Sequence, residues 1–287
     1  MTEPRKSLRQ LVDERRGILV PGAANALAAR VIEDLGFEVA YITGAGVTNT
    51  YLGLPDLGFV GLNEIAGHTA AIRNVVDIPL IVDADTGFGN AVNVYQTVRV
   101  LERAGASAIQ IEDQKMPKKC GHFQGKQLVD TAEMVAKIKS ALDARQSDDF
   151  LVMARTDARA TEGFAAAVDR CHAFVEAGAD IIFLEAPESV EELRRLPTEI
   201  AAPQLVNMVV GGRTPPLSNA EFAELGFSLV LYANVALQSA VAGMTRALSA
   251  LKAGEPMAGD GDMLASFAQR QAVVKKAFYD DLDARFS

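Results

Sequence analysis

Apolar positions along the chain follow two alternating patterns. Short runs rich in Val, Ile and Leu recur at 17–23, 39–46, 79–85, 107–113, 150–156, 180–186, 204–209 and 229–234. Between them lie longer stretches such as "NVYQTVRVLERAGA", "TAEMVAKIKSALDA" and "GFAAAVDRCHAFVEAGA", where apolar residues return every three or four positions. The first pattern is that of a strand buried on both faces, and the second that of an amphipathic helix. Several helical stretches end in Ala-Gly or Leu-Gly, where the glycine predicts a C-cap before the next strand. Strand and helix therefore alternate throughout, which predicts a parallel sheet covered by helices. Eight strand-helix units in one chain predict an α/β fold of the (β/α)8 barrel type, with residues 1–287 as one domain. A doubly wound open sheet competes with it, but no G-x-G-x-x-G follows the first run, which weakens the dinucleotide-binding form of that fold. Residues 236–287 carry more helix than one barrel unit uses. They predict a C-terminal helical arm that packs on another subunit.

Composition narrows the function. With 49% apolar and 23% charged residues, the chain has what a globular protein needs to bury a large core. The formal net charge of −9, spread along the chain, argues against a nucleic-acid surface. The polar N-terminus lacks a secretory pattern, and no run approaches the roughly 20 apolar residues of a bilayer span. Two cysteines, Cys120 and Cys171, form neither a disulfide framework nor a C-x-x-C metal spacing. These features predict a cytoplasmic protein with no nucleic-acid or membrane partner.

In a barrel of this kind the chemistry sits at the C-terminal ends of the strands, and nearly every run here closes on polar residues. The third ends in Asp83 and Asp85, the fourth in Glu112 and Asp113, the fifth in Arg155 and Asp157. The sixth ends in Glu185, the seventh in Asn207, the eighth in Tyr232 and Asn234. Any one of these could serve only to cap a helix. Asp83 and Asp85, two apart on an extended chain, should leave the same face, with Glu112 on the adjacent strand. Three carboxylates so close together call for a cation, and an all-oxygen donor set suits Mg2+, with Mn2+ as a substitute. Asp85 is expected to bind it most directly, with Asp83 and Glu112 acting through water. Arg155 could clamp a carboxylate with its planar fork, and Thr43, Gly44 and Ala45 offer backbone N–H groups as an anion seat. The ligand so described is a small, oxygen-rich anion.

The stretch "DQKMPKKCGHFQGK" (113–126) sets Cys120 among Lys115, Lys118, Lys119 and Lys126. A core cysteine does not sit among lysines, and a solvated basic loop has no need of a thiol. Flanking cations favour the thiolate over the thiol. His68, His172 and Cys171 lie within helical stretches and read as structural or exposed.

Taken in order, "LGLPDLG" (52–58), "VDADTGFG" (82–89), "IQIEDQ" (109–114), "KKCGH" (118–122) and "MARTDA" (153–158) resemble the isocitrate lyase and phosphoenolpyruvate mutase superfamily. Within it they are most similar to the short lyases: 2-methylisocitrate lyase, 2,3-dimethylmalate lyase and petal death protein. The resemblance implies a barrel whose last helix is exchanged between partners, a homotetramer made of two helix-swapped dimers, Mg2+ dependence and a mobile loop carrying K-K-C-G-H. It implies Cys120 as catalytic acid/base, beside Lys118, Lys119 and His122, with Gly121 as the bending point of the loop. Asp56, Arg155, Glu185, Asn207 and Thr214 match positions that bind substrate or order the pocket. Tyr41 is a candidate on position only for deprotonating the substrate hydroxyl.

The implied reaction is that of an oxo-acid lyase, which cleaves a 2-hydroxy dicarboxylate to an oxo acid such as pyruvate plus a carboxylate. In the tricarboxylate-cleaving enzymes an arginine follows the last strand. Gln238 stands there instead, and "NMVVGGRTP" (207–215) resembles the dimethylmalate lyase type. A substituted malate such as 2,3-dimethylmalate is the expected substrate. The alternatives are 2-methylisocitrate lyase, oxaloacetate hydrolase or decarboxylase, and phosphonomutase chemistry, the last opposed by Cys120.

Overall fold

A computed structural model of the chain describes residues 6–119, 125–257 and 263–287. The chain opens with α1 (Leu8–Asp13), β1 (Ile18–Ala23), α2 (Ala26–Asp34) and β2 (Ala40–Ile42). A short α3 (Gly44–Val47) runs into a π-helical turn, Thr48–Leu52, before α4 (Leu62–Arg73) and β3 (Leu80–Asp83). Then come α5 (Ala91–Arg103), β4 (Ala108–Glu112), α6 (Thr131–Ala144), β5 (Leu151–Thr156), α7 (Ala158–Thr161) and α8 (Phe164–Glu176). The barrel finishes with β6 (Ile181–Leu184), α9 (Val190–Glu199), β7 (Leu205–Asn207), α10 (Asn219–Leu225) and β8 (Leu229–Tyr232). Beyond it lie α11 (Val235–Lys252), α12 (Phe267–Val273) and α13 (Lys276–Phe286).

All eight strands pair in parallel, in the order β6-β5-β4-β3-β2-β1-β8-β7. A parallel bridge between Ile182 and Gln204 brings β6 against β7, so the sheet is nearly a closed barrel. The eight expected strands are the eight observed. The run at 39–46 stops early as a strand, because the Thr43 side chain accepts from the Gly46 N–H and starts α3. Elsewhere Asn25, Asn90, Asp130, Ser189 and Ser218 cap the helices that follow the strands.

Strand alternation divides the apolar residues into two cores. One lies between the strands and the helices and includes Ile42, Val82, Ile109, Val152, Ile182 and Phe174. The other fills the barrel: Val20, Ile81, Ala108, Leu151, Met153, Ile181, Phe183, Leu205 and Leu229. Leu8, Leu11 and Val12 of α1 join this inner core, so the first helix closes the barrel at one end. There Ser228 Oγ donates to the Val12 carbonyl at 2.6 Å. The inner filling is hydrocarbon at that end and becomes polar toward the C-terminal ends of the strands.

The helices after β8 are bare on one side. Val241, Met244, Leu248 and Leu251 on α11, and Phe267, Phe278, Tyr279 and Phe286 beyond it, are all exposed. Among the described residues no helix is long and apolar enough to cross a membrane.

Candidate active site

The register of the sheet sets neighbouring polar side chains side by side in the upper barrel. Asp83 of β3 lies beside Gln110 of β4, and Glu112 of β4 beside Arg155 of β5. Gln110 is fully buried and uses both ends of its amide. Its Oε1 accepts from the Tyr41 hydroxyl at 2.5 Å, and its Nε2 donates to Asp83 Oδ1 at 3.4 Å. Burial, reinforced by the Asp83 charge, pushes the Tyr41 phenol well above its ordinary range. Tyr41 is therefore a neutral donor to Gln110, with its lone pairs left for the cavity.

The third strand does not end as an extended chain would. β3 stops at Asp83, and Asp85 takes a left-handed φ of 48°, so the two carboxylates do not leave one face by strand alternation. Asp83 receives the N–H groups of Gly44 (3.2 Å) and Asp85 (3.2 Å). The Gly44 N–H expected to seat a ligand anion is thus given to Asp83, and the Gly46 N–H to Thr43. Both carboxylates still crowd Gly44: a Cβ there would lie 3.1 Å from Asp83 Oδ2 and 3.4 Å from Asp85 Oδ1.

Lys118 is no solvated loop lysine. It is 4% exposed, with its ammonium 2.5 Å from Asp56 and 2.9 Å from Asp85. Burial opposes its charge, but Asp85, Asp83, Glu112 and Asp56 together raise its pKa. Burial pushes Asp85 up to about 7 against the pull of Lys118, and drives Glu112 well above its usual range against the pull of Arg155.

These residues fit a hard divalent cation. Glu112 Oε1 is buried with no hydrogen-bond partner among the described residues, and Asp85 Oδ1 faces the Lys118 ammonium at 2.9 Å; buried carboxylate oxygens of this kind gain from a further nearby charge. Yet among the described residues no group of three or more His, Cys, Asp or Glu side chains is close enough to hold a metal together. Asp83 and Glu112 line one cavity, and a Cβ on Gly44 would lie close to both Asp83 and Asp85. A site with few direct protein ligands suits Mg2+, which keeps several waters.

Arg155 is also more occupied than the sequence implied. Its fork is bidentate to Asp157, at 3.0 and 3.1 Å, while Nη1 stands 3.3 Å from Glu112. Phe183, its register neighbour on β6, lies under the guanidinium at 5.1 Å. Burial counts against the ion pair, but Arg155 and Lys126, the latter at 2.6 Å, hold Asp157 below the ordinary carboxylate range. Asn207 Nδ2 lies 3.4 Å from Glu185, and Asn207 Oδ1 has no partner among the described residues.

A cavity of about 250 Å3 opens between these groups. Tyr41, Thr43, Ala45, Asp56, Asp83, Glu112, Lys118, Arg155, Glu185 and Asn207 line it. Gly44 and Asp85 are not part of that lining. Thr214 is not on this cavity but on a neighbouring one, buried with a hydroxyl that has no partner among the described residues. Cys120, Gly121 and His122 lie outside the described residues. The two ends of their loop are tied to each other: Lys115 N–H donates to Gln127 and Val129 N–H to Asp113. His68 packs edge-on against the Tyr51 ring, His172 is exposed and Cys171 is buried in α8. Gln110 escaped the sequence reading, although a glutamine inside the apolar run "AIQIE" was the available signal.

The family profile described as phosphoenolpyruvate phosphomutase matches residues 8–252. The 2,3-dimethylmalate lyase of Eubacterium barkeri is 46% identical over 91% of this chain and 91% of its own. The 2-methylisocitrate lyase of Aeropyrum pernix is 50% identical over 81% of this chain and 74% of its own. A crystal structure of 2,3-dimethylmalate lyase superposes with a TM-score of 0.91 at 37% identity, covering 98% of this chain and 94% of that one. A phosphonopyruvate hydrolase in complex with oxalate and Mg2+ superposes with a TM-score of 0.86 at 32% identity, covering 97% of each.

Proposed function

The chain belongs to the phosphoenolpyruvate phosphomutase family, and from that premise we propose that it is a carbon-carbon lyase. It cleaves a 2-hydroxy dicarboxylate, a substituted malate such as 2,3-dimethylmalate, to pyruvate or a related oxo acid plus a carboxylate. The observation that carries this reading is the mixed lining of the cavity. Carboxylates and cations (Asp83, Glu112, Lys118, Arg155) line it together with hydrocarbon (Phe183, Val209, Leu231, Ala233). A ligand that combines carboxylates with alkyl substituents fits both.

Mg2+, held by Asp85 with Asp83 and Glu112, would supply Lewis-acid polarisation of the 2-hydroxyl and carboxylate oxygens. A Mg2+ complex in the phosphonopyruvate hydrolase neighbour supports that assignment. Arg155 turns Nη1 toward the carboxylate-binding side while Asp157 fixes its plane. Tyr41, aimed by Gln110, presents lone pairs that accept the substrate's hydroxyl hydrogen bond. Asn207, beside Glu185, orients the far carboxylate, while Thr214, in the neighbouring cavity, is assigned to substrate binding by the family resemblance alone. By the family resemblance Cys120 is the group that would protonate the departing carbon.

The cytoplasm is the compartment this reading calls for. The bare faces of α11 to α13 support a homotetramer built from two helix-exchanged dimers, and light scattering that returns a monomer would remove that part. The catalytic reading is tested by offering C4 to C7 hydroxy-dicarboxylates with Mg2+ and coupling pyruvate release to lactate dehydrogenase. Turnover of a substituted malate that disappears with EDTA and with Cys120→Ser is expected; unchanged turnover in Cys120→Ser would defeat it. The identity to the Aeropyrum enzyme keeps 2-methylisocitrate as the second reading. With Gln238 in place of a cation, that tricarboxylate should be the poorer substrate. Oxaloacetate converted to acetate or CO2 in preference to any malate would point to a hydrolase or decarboxylase.

A further inference from the structure

We infer that Val209 is the residue that sets how long an alkyl substituent on C3 of the substrate can be, an inference that rests on the lyase reading above. Two cavities meet at the mouth of the barrel. One is the candidate active site, of about 250 Å3, and the other, of about 380 Å3, lies under the turn that follows β7. Val209 lines both, so its side chain is part of the wall between them. The turn holds it there: Gly212 N–H donates to the Val209 carbonyl at 2.8 Å, with Gly211 at a left-handed φ of 75°. A β-branched side chain on such a turn has little χ1 freedom, so the wall is stiff.

The wall stands on the side that a C3 substituent must face. With the substrate's 2-hydroxyl and carboxylate toward Asp83, Glu112 and Arg155, a C3 substituent is left to the apolar part of the same lining, to which Leu231 and Val209 belong. A methyl group ends before Val209. A longer chain meets it, although space lies directly behind. That space is largely apolar, lined by Met208, Val210, Pro216 and Tyr232 among others. It also contains the buried hydroxyl of Thr214, which has no hydrogen-bond partner among the described residues.

Shortening Val209 to alanine joins the two cavities, and lengthening it to isoleucine thickens the wall. The experiment measures kcat/KM for a 3-alkyl-2-methylmalate series, from methyl to butyl, in wild type, Val209→Ala and Val209→Ile with Mg2+. Binding of 2-alkylsuccinates of the same lengths, by titration calorimetry, reads the wall without turnover. Wild type should discriminate against each methylene beyond the wall by about tenfold or more. Val209→Ala should raise the butyl-to-methyl ratio at least about tenfold in both assays, and Val209→Ile should lower it. Ratios unchanged within about twofold in folded variants overturn the inference; should Val209→Ala not fold, the isoleucine variant decides alone. Wild type that binds the succinates but turns over no malate defeats the lyase reading, while the succinate profile still decides the role of Val209.

Discussion

The inner face of the barrel holds two regions built on the same strands and only two residues apart, and they differ in almost every physical respect. Along β3 the inward residues are Ile81 and then Asp83; along β4, Ala108 and then Gln110 and Glu112. Along β5 they are Leu151, Met153 and then Arg155, and along β6, Ile181, Phe183 and then Glu185. The lower region is hydrocarbon and its burial stabilises the fold. The upper region is equally buried but ionisable, so its burial opposes charge: Asp85 is driven up to about 7, and Glu112 further from its ordinary range. A strand position near the closed end serves packing, and the next inward position toward the open end serves binding. Packing below holds the charged groups above in place, so neither Arg155 nor Glu112 can relax toward water.

The largest expected effect comes from removing the cation of the upper region. Arg155→Met leaves Glu112 buried without its ion pair and Asp157 with Lys126 alone, and should cost about 3–5 kcal/mol, with turnover reduced about 10²–10³-fold. Urea unfolding and the coupled pyruvate assay read the two effects. The matching cut below is Ile81→Ala, which should cost about 2–5 kcal/mol through the cavity it leaves yet keep turnover per folded molecule. If Ile81→Ala abolished catalysis while the fold held, the division between the two regions would fail.

The pH dependence of stability sharpens the same comparison. Burial lifts the Asp113 carboxyl to about 6 from an ordinary 3.8, even though Thr156 and the Asp157 N–H donate to it. A folded-state value above the unfolded one means that the ionised form is disfavoured in the fold. The stability linked to Asp113 is intact below about pH 4 and is lost as pH rises through about 6, by about 3 kcal/mol in all. Urea midpoints from pH 4 to 8 should therefore fall less steeply in Asp113→Asn than in wild type, both without Mg2+.

Smaller effects test the rim and the outer core. Gly22 packs so closely that a Cβ on it would lie 1.9 Å from the Ala233 carbonyl oxygen. Gly22→Ala should therefore cost about 1–3 kcal/mol by forcing β1 and the end of β8 apart, read as a lowered melting temperature. Cys171 is fully buried and its thiol is pushed well up by burial. In Cys120→Ser it should give no reaction with a disulfide reagent at pH 8 until the protein is unfolded.

Much of the site was legible because strand ends carry function in this architecture. Asp83, Glu112, Arg155, Glu185 and Asn207 each close an apolar run, and all five line one cavity. What misled was the assumption that the chain stays extended at Asp85, where the left-handed turn breaks the period of two. Lys118 misled for another reason. Its neighbours in sequence are loop-like, and only the fold brings Asp56, 62 residues away, within 2.5 Å of it. Gln110 stood visible as a polar residue in an apolar strand, but its work, aiming Tyr41 and bracing Asp83, depends on the register of three strands.

By itself the sequence determined the eight strands, their alternation with helices and the residue types at each strand end, because side-chain period and helix caps are local properties. The tertiary structure alone decided which carboxylates compete for which cations, that the fork of Arg155 belongs to Asp157, and that Val209 divides two cavities. Those outcomes depend on register, burial and close approach between segments far apart along the chain, and no local pattern encodes them.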